Sequence, residues 1–346
     1  MLRRLGFGLI GCGRIAPRHA QSIAELPGAR LVAVADIVQA RAARFATQYQ
    51  ADCHTDYRQL LERQDIDIVN ICVPSGLHAQ LAIEAMQAGK HVIVEKPMAL
   101  SLQDADRMIA AAQAAERKLC VVLQNRYNPP MQALRRAVDE GRLGRLLLGN
   151  ATVRWYRPQA YYEDSWHGTW AMDGGAIMNQ SIHHVDALQW LMGDVASVFA
   201  YTATLAHRME AEDTGVAVLR FRSGALGTIE GSTITHPENL EGSVAVFGQR
   251  GSVKVGGMAM NRAVIWKIDG EPEQDEVLSA REQVEPASIY GASHKSVIAD
   301  MMAAIVEGRE SNTNGPEARK SLDLVLAIYQ SSRTGRSVDL VGAGAG

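Results

Sequence analysis

Short apolar runs alternate with longer amphipathic stretches over the first third of the chain. Apolar runs of this length predict strands that are buried on both faces, and the stretches between them carry apolar residues at helical spacing. Strands and helices in regular alternation are typical of a parallel sheet built from βαβ units. The pattern therefore predicts at least five parallel strands, which lie at LGFGLIG, LVAVAD, DIVNICVP, HVIVEKP and KLCVVLQN.

The pattern changes after Gln124. A helix is predicted near Pro130, and the segments that follow alternate apolar and polar residues and are joined by turns that contain glycine. Such alternation predicts antiparallel strands with one face on the core and the other toward solvent. An apolar stretch from Ala176 to Met192 predicts a helix between these strands, and two more helices are predicted near residues 295–307 and 316–334.

The length of the chain supports two domains, because 346 residues exceed what one hydrophobic core usually supports. We predict an α/β fold with an N-terminal Rossmann dinucleotide-binding domain in residues 1–124. Residues 125–340 are expected to form a C-terminal α+β domain with a large, open, mainly antiparallel sheet, which binds substrate and mediates oligomerisation. Because such a sheet leaves one face uncovered, we expect that face to pack against another subunit.

Composition argues against several classes of partner and site. The formal net charge is -3 and Lys and Arg form no cluster, so nucleic-acid binding is not expected. No apolar stretch is long enough to span a bilayer and the first residues do not resemble a signal peptide, so we expect no membrane partner and a cytoplasmic location. The four cysteines form no CxxC pair and HExxH is absent, so no metal site is predicted.

The segment from Gly11 to Ala16 carries the most specific local motif. It matches G-x-G-x-x-G/A between the first predicted strand and the first helix, where Gly11 permits a tight turn and Gly13 lets the backbone approach a pyrophosphate. The second strand ends in Asp36, whose carboxylate can bind the adenosine ribose and would repel the additional phosphate of NADP. These residues predict NAD as the cofactor, and a glycine turn that binds no nucleotide is the alternative.

Two places offer groups for the dehydrogenation of an alcohol, which needs a proton acceptor and positive charge near the developing alkoxide. Lys96 follows a predicted strand at the sheet edge where ligands bind, although a surface lysine would fit there equally well. On the later helix, Asn179 and His183 are four residues apart and are expected to share one face. Asp186 is expected to orient the His183 ring. A pair of core histidines is the alternative for His183 and His184.

Longer segments resemble the Gfo/Idh/MocA family of oxidoreductases, and the resemblance covers nearly the whole chain. It implies that Lys96 is the active-site lysine and His183 the catalytic histidine. It also implies a homodimer or a homotetramer. Asn179 stands where many members carry Asp, and an amide can orient a hydroxyl but cannot share a proton. The segments that carry the resemblance, in the order and spacing of the family, are GLIGCGRIA, VPSGLH, GKHVIVEKPMA, QNRYNP and DGGAIMNQSIHHVDALQWLMG.

Motif and resemblance together predict two sets of contacts. Pro74, Ser75 and His78 are assigned to the cofactor because they end a predicted strand, although His78 would serve equally as a helix cap. Arginines are assigned to the substrate because their forks bind oxyanions bidentately. The predicted cofactor contacts are Gly11, Cys12, Gly13, Arg14, Ile15, Asp36, Pro74, Ser75, His78, Glu95, Lys96, Gln124 and Trp166. The predicted substrate contacts are Lys96, Asn125, Arg126, Arg157, Tyr161, Asn179 and His183.

Within the family the chain is similar to bacterial enzymes that oxidise the 3-hydroxyl of UDP-N-acetylglucosaminuronate to a ketone. We therefore expect an NAD-dependent sugar dehydrogenase with a nucleotide-sugar substrate. His167 stands where such enzymes commonly carry Arg, which leaves the contact with an anionic substrate open. The alternatives are an inositol or simple aldose dehydrogenase, an NAD-dependent glycosidase and a nucleotide sensor without catalysis. The presence of both Lys96 and His183 argues against the sensor.

Overall fold

A computed structural model describes residues 4–164, 166–271 and 293–340 of the chain. These residues form two units. The first contains the described residues up to Gln124 together with His294–Arg319, and the second contains those from Asn125 to Ser293 together with those from Lys320 on. The sequence analysis assigned His294–Arg319 to the C-terminal domain, because nothing in the pattern of a helix indicates which of two sheets it returns to.

The first unit is built on a six-stranded sheet whose strands are connected by helices. The strands are β1 (Leu5–Ile10), β2 (Ala29–Ala35), β3 (Asp52–His54), β4 (Ile68–Ile71), β5 (His91–Val94) and β6 (Leu119–Val121). The helices are α1 (Ala16–Glu25), α2 (Gln39–Tyr49), α3 (Tyr57–Leu61), α4 (His78–Gln87), α5 (Leu102–Ala114) and, after the return of the chain, α8 (His294–Glu307).

Neighbouring strands of this sheet are parallel, in the order β3-β2-β1-β4-β5-β6. The order reverses between β1 and β4, and open α/β sheets bind ligands outside the carboxyl ends of the strands at such a point. The predicted Rossmann fold with at least five parallel strands is therefore confirmed. The sequence analysis missed β3 because it has only three residues and none of them is buried.

The second unit contains an eight-stranded sheet and the helices that accompany it. Its strands are β7 (Leu146–Arg154), β8 (Val195–Ala203), β9 (Thr214–Phe221), β10 (Leu226–Ser232), β11 (Glu241–Gly248), β12 (Gly251–Gly256), β13 (Arg262–Ile268) and β14 (Val338–Asp339). Its helices are α6 (Pro129–Asp139), α7 (Ile182–Met192) and α9 (Gly315–Thr334), and the boundary between the units falls within α9.

The strand order in this sheet is β13-β12-β11-β7-β10-β9-β8-β14. All neighbouring strands are antiparallel except β7 and β10, so the expectation of a mainly antiparallel sheet is confirmed. One face packs on α7, where a Cβ added at Gly149 would meet Leu188 and Met192. Residues on the other face of β9 are exposed, including Val216 and Val218.

The stretch from Ala176 to Met192 is two elements rather than the single helix that was predicted. Ala176–Gln180 is a π-helix, and α7 follows it after Ser181. The helical period therefore changes between Asn179 and His183, and the argument that four residues place them on one α-helical face does not apply. π-helical turns are rare in proteins and occur frequently at functional sites.

Within the residues that the structure describes, no helix combines the length and the apolar character that crossing a membrane requires.

Candidate active site

The turn between β1 and α1 has the backbone of a nucleotide-binding loop. Gly11 has a φ of 92°, and a Cβ there would lie 2.5 Å from the carbonyl oxygen of Cys72, so glycine is required. A Cβ at Gly13 would meet no atom within 4 Å, which leaves this backbone open to a ligand. No side chain caps the N-terminus of α1 at Ala16. Within the first turn, Ala16 can offer its N–H to a pyrophosphate, because Pro17 has no N–H and Arg18 donates its own to the carbonyl oxygen of Ile15 at 2.9 Å.

Asp36 directly follows β2 and is anchored to the same turn. Its Oδ2 accepts the backbone N–H of Cys12 at 2.8 Å, and its Oδ1 accepts that of Val38 at 2.8 Å. Burial, and then the charge of Asp36, raise the pKa of the Cys12 thiol to about 12, so this thiol is neutral at physiological pH. The carboxylate is thus held beside the glycine turn, where it fits a ribose hydroxyl and disfavours a 2′-phosphate.

His78 begins α4, behind Pro74 and Ser75 at the end of β4. Its Nδ1 lies 2.8 Å from the carbonyl oxygen of Pro97, and its Nε2 lies 2.9 Å from that of Val73. Burial lowers the pKa of this imidazole, although the two carbonyl groups act in the opposite direction. Both ring nitrogens are thus engaged inside the unit, where the sequence analysis predicted a cofactor contact. The side chain connects the ends of two neighbouring strands instead.

A buried network fixes the backbone of Lys96. The Oε2 of Glu95 accepts the N–H of Lys96 at 3.2 Å, and its Oε1 lies 2.8 Å from the Nε2 of His19. Asn70 donates from Nδ2 to the Nδ1 of His19 at 2.7 Å, so the ring proton of His19 is on Nε2 and points to the carboxylate. The Lys96–Pro97 peptide bond is cis. Lys96 is therefore held from β4 through an imidazole and a carboxylate.

His294, at the start of α8, completes this network. Its Nε2 lies 3.6 Å from the Oε1 of Glu95. Burial raises the pKa of Glu95, but the hydrogen bond from His19 and the nearby ring of His294 outweigh burial and hold this pKa well below its ordinary value. The three side chains offer ligand atoms within 4.8 Å of one another. In this arrangement the carboxylate of Glu95 lies between two imidazole rings, at 2.8 Å from His19 and 3.6 Å from His294.

In the second unit, a chain of hydrogen bonds leads from Arg157 to the π-helix. Arg157 donates from Nη2 to the Oε1 of Gln180 at 2.6 Å, and Gln180 donates from Nε2 to the Oδ1 of Asn179 at 3.0 Å. Asn179 donates from Nδ2 to the Oδ1 of buried Asp173, whose other oxygen accepts the N–H of Gly168 at 2.7 Å. Partners on both sides of the amide therefore fix the orientation of Asn179.

The two adjacent histidines at the start of α7 have different environments. His184 is 1% exposed and lies edge-on to Trp155, with ring centroids 5.8 Å apart. Burial lowers the pKa of His184 to about 3, so it is neutral at physiological pH. His183 is 8% exposed. The alternative of a core histidine therefore describes His184, and His183 remains the candidate for catalysis.

Arg126 forms a buried ion pair with Asp186 on α7. Its Nε donates to Oδ2 at 2.8 Å and its Nη2 donates to Oδ1 at 2.7 Å, and Ser321 donates to the same Oδ1 at 2.7 Å. Two predictions are corrected by this pair. The guanidinium fork assigned to a substrate anion binds a carboxylate of the protein, and the carboxylate assigned to the His183 ring binds Arg126 and Ser321.

Arg157 differs from Arg126, the other arginine that the sequence analysis assigned to the substrate. Its polar partners, the carbonyl oxygen of Tyr156 and the side-chain amides of Asn239 and Gln180, are neutral. No carboxylate of the described residues pairs with its guanidinium, whereas Arg154 is paired with Glu230 and Glu241 on the sheet. Within the described residues, the positive charge of Arg157 is therefore not neutralised by a carboxylate.

Aromatic side chains surround Arg157. Its guanidinium lies 5.2 Å from the ring centroid of Trp155 and 5.7 Å from that of Tyr161. Tyr161 is next to His167, with centroids 4.3 Å apart, and His167 stacks on Trp166 at 3.6 Å. Flat rings, of which Tyr161 and Trp166 are partly exposed, lie beside a cation that no carboxylate of the described residues neutralises, and this surface fits a ligand with an apolar face and an anionic group. Trp166, predicted as a cofactor contact, belongs to this group in the second unit.

The structure thus distributes the predicted residues over its two units. The cofactor set lies at the carboxyl ends of the strands in the first unit, except for Trp166. Asn125 and Arg126 begin the second unit and are both buried. Sequence analysis missed His19, His294 and Asp173, although Asp173 directly precedes the glycine pair of the motif. His294 carries no signal in sequence, since it lies 199 residues from the carboxylate that it faces.

The chain matches models of two protein domains. Residues 5–123 match the oxidoreductase family with an NAD-binding Rossmann fold, and residues 131–254 match the GFO/IDH/MocA C-terminal domain. The chain belongs to the Gfo/Idh/MocA family of oxidoreductases. NAD is its cofactor, which confirms the prediction from the glycine turn and Asp36, and the open backbone at Gly13 fits that group.

Among solved structures, two WlbA dehydrogenases crystallised with NADH and UDP-GlcNAcA are similar to this family member. The enzyme from Bordetella pertussis is 41% identical, with a TM-score of 0.93 and 99% of each chain covered. The enzyme from Chromobacterium violaceum is 42% identical, with a TM-score of 0.90 and coverage of 98% of this chain and 96% of the other. Myo-inositol 2-dehydrogenase of Thermotoga maritima is 28% identical over 96% of this chain and 98% of its own.

Proposed function

We propose that the protein oxidises the 3-hydroxyl of UDP-N-acetylglucosaminuronate to a ketone, with NAD as the hydride acceptor. The observation that carries this proposal is the unneutralised charge of Arg157, which hydrogen bonds connect through Gln180 to Asn179 on the π-helix. A sugar hydroxyl near Asn179 and an anionic group near Arg157 would belong to one extended substrate. The similarity to two WlbA dehydrogenases supports the same substrate.

In this proposal Lys96 and His183 act on the hydroxyl that is oxidised. One of them accepts the hydroxyl proton, and the other stabilises the negative charge that develops on the oxygen. Glu95 and His19 fix the backbone of Lys96, and a fixed backbone would position its amino group for either role. When bound, NAD supplies the nicotinamide that takes up the hydride. Gly11, Gly13 and Asp36 would hold its pyrophosphate and ribose.

Asn179 would orient the substrate rather than transfer a proton. Its amide is held by Gln180 on one side and Asp173 on the other. An amide has no proton to give up at physiological pH, so proton transfer falls to Lys96 and His183. Arg157 would bind a carboxylate or phosphate oxygen, for which its planar fork is well suited.

The direct test is turnover with defined substrates. Purified protein is incubated with NAD and UDP-N-acetylglucosaminuronate, and NADH is followed by absorbance while mass spectrometry detects the product that has lost two hydrogens. Lys96→Met and His183→Gln are each expected to lower kcat by about 100-fold or more while NAD binding is retained. Lys295→Met, which removes an exposed lysine paired with Glu25, is the control and should leave kcat unchanged. Normal turnover in both site variants would contradict the mechanism.

Oxidation of an inositol is the second candidate. It is favoured by the similarity to myo-inositol 2-dehydrogenase along nearly the whole chain. It is also favoured by His167, which hydrogen-bonds Asp164 and stacks on Trp166 in place of an arginine. Measuring kcat/KM for UDP-N-acetylglucosaminuronate, myo-inositol and glucose side by side decides between the candidates. A preference for myo-inositol that persists in Arg157→Gln would favour the second, since an uncharged polyol does not need this cation.

A further inference from the structure

A buried carboxyl group lies against the first turn of the π-helix. Glu212 is 3% exposed, and its Oε1 accepts the N–H of Ile177 at 2.8 Å and the hydroxyl of Tyr329 at 2.9 Å. Its own carbonyl oxygen accepts the N–H of Ala176 at 2.8 Å. Tyr329 in turn accepts the N–H of Met178 at 3.2 Å. Glu212 and Tyr329 thus bind the first three N–H groups of the π-helix.

The glycine before this helix leaves room for that carboxyl group. A Cβ built on Gly175 would lie 1.9 Å from the Oε2 of Glu212 and 2.2 Å from its Cδ. Gly175 has an extended backbone with a φ of -107°, which other residues adopt as well. Glycine is therefore required at this position because any side chain would collide with Glu212, and not because of the backbone conformation.

The Oε2 of Glu212 has no hydrogen-bond partner among the described residues. Leaving a buried carboxyl oxygen without a partner destabilises a protein by an amount comparable to a lost hydrogen bond. The hydrogen bond from Ile177 of the π-helix to Oε1 is therefore accompanied by an energetic disadvantage at the other oxygen of the same carboxyl group. Such an arrangement is expected where the position of a helix matters for function.

We infer that Glu212 is a positioning residue for the active site, which acts through Ile177 and Tyr329 to hold the π-helix that carries Asn179 and leads to His183. This inference rests on the proposed function, in which these two side chains meet the substrate. Glu212 itself touches neither substrate nor cofactor in the proposal. The contact of its carboxylate with the N–H of Ile177 is strongest when the carboxylate is ionised, whereas the contact with Ala176 is made by the backbone carbonyl.

The environment of Glu212 makes its contacts sensitive to pH. Burial, opposed by the hydrogen bonds from Ile177 and Tyr329 and aided by the charge of Asp213, raises the pKa of Glu212 to about 7. The titratable groups that face it are Tyr329 of α9, whose pKa burial raises well above its ordinary value, and Asp213, which binds the ring of His207. Glu212 is therefore expected to ionise, and to hold the helix more firmly, as pH rises from 6 to 8.

The test uses Glu212→Gln, which preserves shape and removes the charge, and Gly175→Ala, which displaces the carboxyl group without altering its chemistry. Both are expected to lower kcat by about tenfold, the effect of losing one charged hydrogen bond, with unchanged NAD affinity and a smaller change in KM. In Glu212→Gln the part of the kcat profile that rises between pH 6 and 8 should also disappear. Glu230→Gln, on the outer face of β10, is the matched control and should leave kcat and its pH profile unchanged.

Hydrogen exchange gives a second readout that does not depend on the substrate. The amides of Ala176, Ile177 and Met178 should exchange at least tenfold faster in Glu212→Gln and in Tyr329→Phe than in the unaltered protein. Unchanged exchange together with an unchanged kcat profile would overturn the inference. Faster exchange in a protein that oxidises none of the candidate sugars would instead overturn the proposed function and leave the contact between Glu212 and the helix established.

Discussion

Arg126 and Asp186 form a bidentate ion pair whose side chains are 6% and 2% exposed. The pair joins the segment that opens the second unit to α7, and Ser321 of α9 binds the same carboxylate. Two charges at this depth are tolerated because each satisfies the other at 2.7 to 2.8 Å. The relation explains why neither residue is available for the roles that the sequence suggested.

Asp186→Ala is predicted to lower the free energy of unfolding by about 3–5 kcal/mol, because it leaves the Arg126 guanidinium buried without a counter-charge. Chemical denaturation followed by tryptophan fluorescence measures this loss. Glu230→Gln, which breaks an exposed ion pair with Arg154, should lower the free energy of unfolding by less than about 1 kcal/mol. Equal losses in the two variants would mean that the depth of the Arg126 pair has no energetic consequence.

Asp36→Ser is predicted to weaken the preference for NAD over NADP by at least about tenfold. The substitution removes the carboxylate that repels a 2′-phosphate and that binds the N–H groups of Cys12 and Val38. The ratio of kcat/KM values for the two cofactors gives the preference. Ile37→Ala, at a neighbouring side chain that is 92% exposed and that gains no hydrogen-bond donor, should leave this ratio unchanged. A ratio that is equal in Asp36→Ser and in the unaltered protein would argue against the assigned role.

The lowered pKa of His184 predicts that the free energy of unfolding depends on pH. Its folded-state pKa of about 3 lies below the unfolded value of about 6.5, so the unfolded chain binds more protons between these values. The contribution of His184 is therefore fully present above about pH 6.5 and is lost as pH falls, by up to about 1.4 kcal/mol per pH unit.

Replacing His184 by Leu should remove this contribution to the slope. Free energies of unfolding are measured by urea denaturation between pH 5 and 7.5 for both proteins. The difference between them should change with pH below about 6.5 and be constant above it. A difference that is constant over the whole range would show that His184 titrates normally in the folded protein.

Exposed apolar side chains on the outer face of the eight-stranded sheet predict that copies of the chain associate. Val216, Val218 and Tyr201 are 50%, 54% and 69% exposed on β9 and β8, and apolar side chains grouped on one sheet face favour a subunit interface. Light scattering is expected to give a dimer or a tetramer, and Val218→Asp is expected to shift the mass toward the monomer. Thr47→Asp, on α2 of the first unit, should not change it. A monomeric unaltered protein would contradict this expectation.

Local patterns in the sequence determined most of the fold. The strands β1, β4 and β5 are buried almost throughout and therefore appear as apolar runs, while β7, β9 and β10 alternate because one face of their sheet is more exposed than the other. The glycine turn and Asp36 were recognisable for a related reason. Each of these features depends on residues that are close in sequence, so its physical requirement is visible in a short segment.

Tertiary structure alone decided which partners the chemical groups have. His19 and His294 meet Glu95 from opposite ends of the chain, Arg126 binds Asp186, and the carboxyl group of Glu212, close to β9, binds the first turn of the π-helix Ala176–Gln180. The sequence could indicate that a histidine or an arginine is chemically competent. Whether that side chain is neutralised, buried or left charged depends on groups that only folding brings within hydrogen-bond distance, because electrostatic and hydrogen-bonding energies are set by distance in space and by exposure to water.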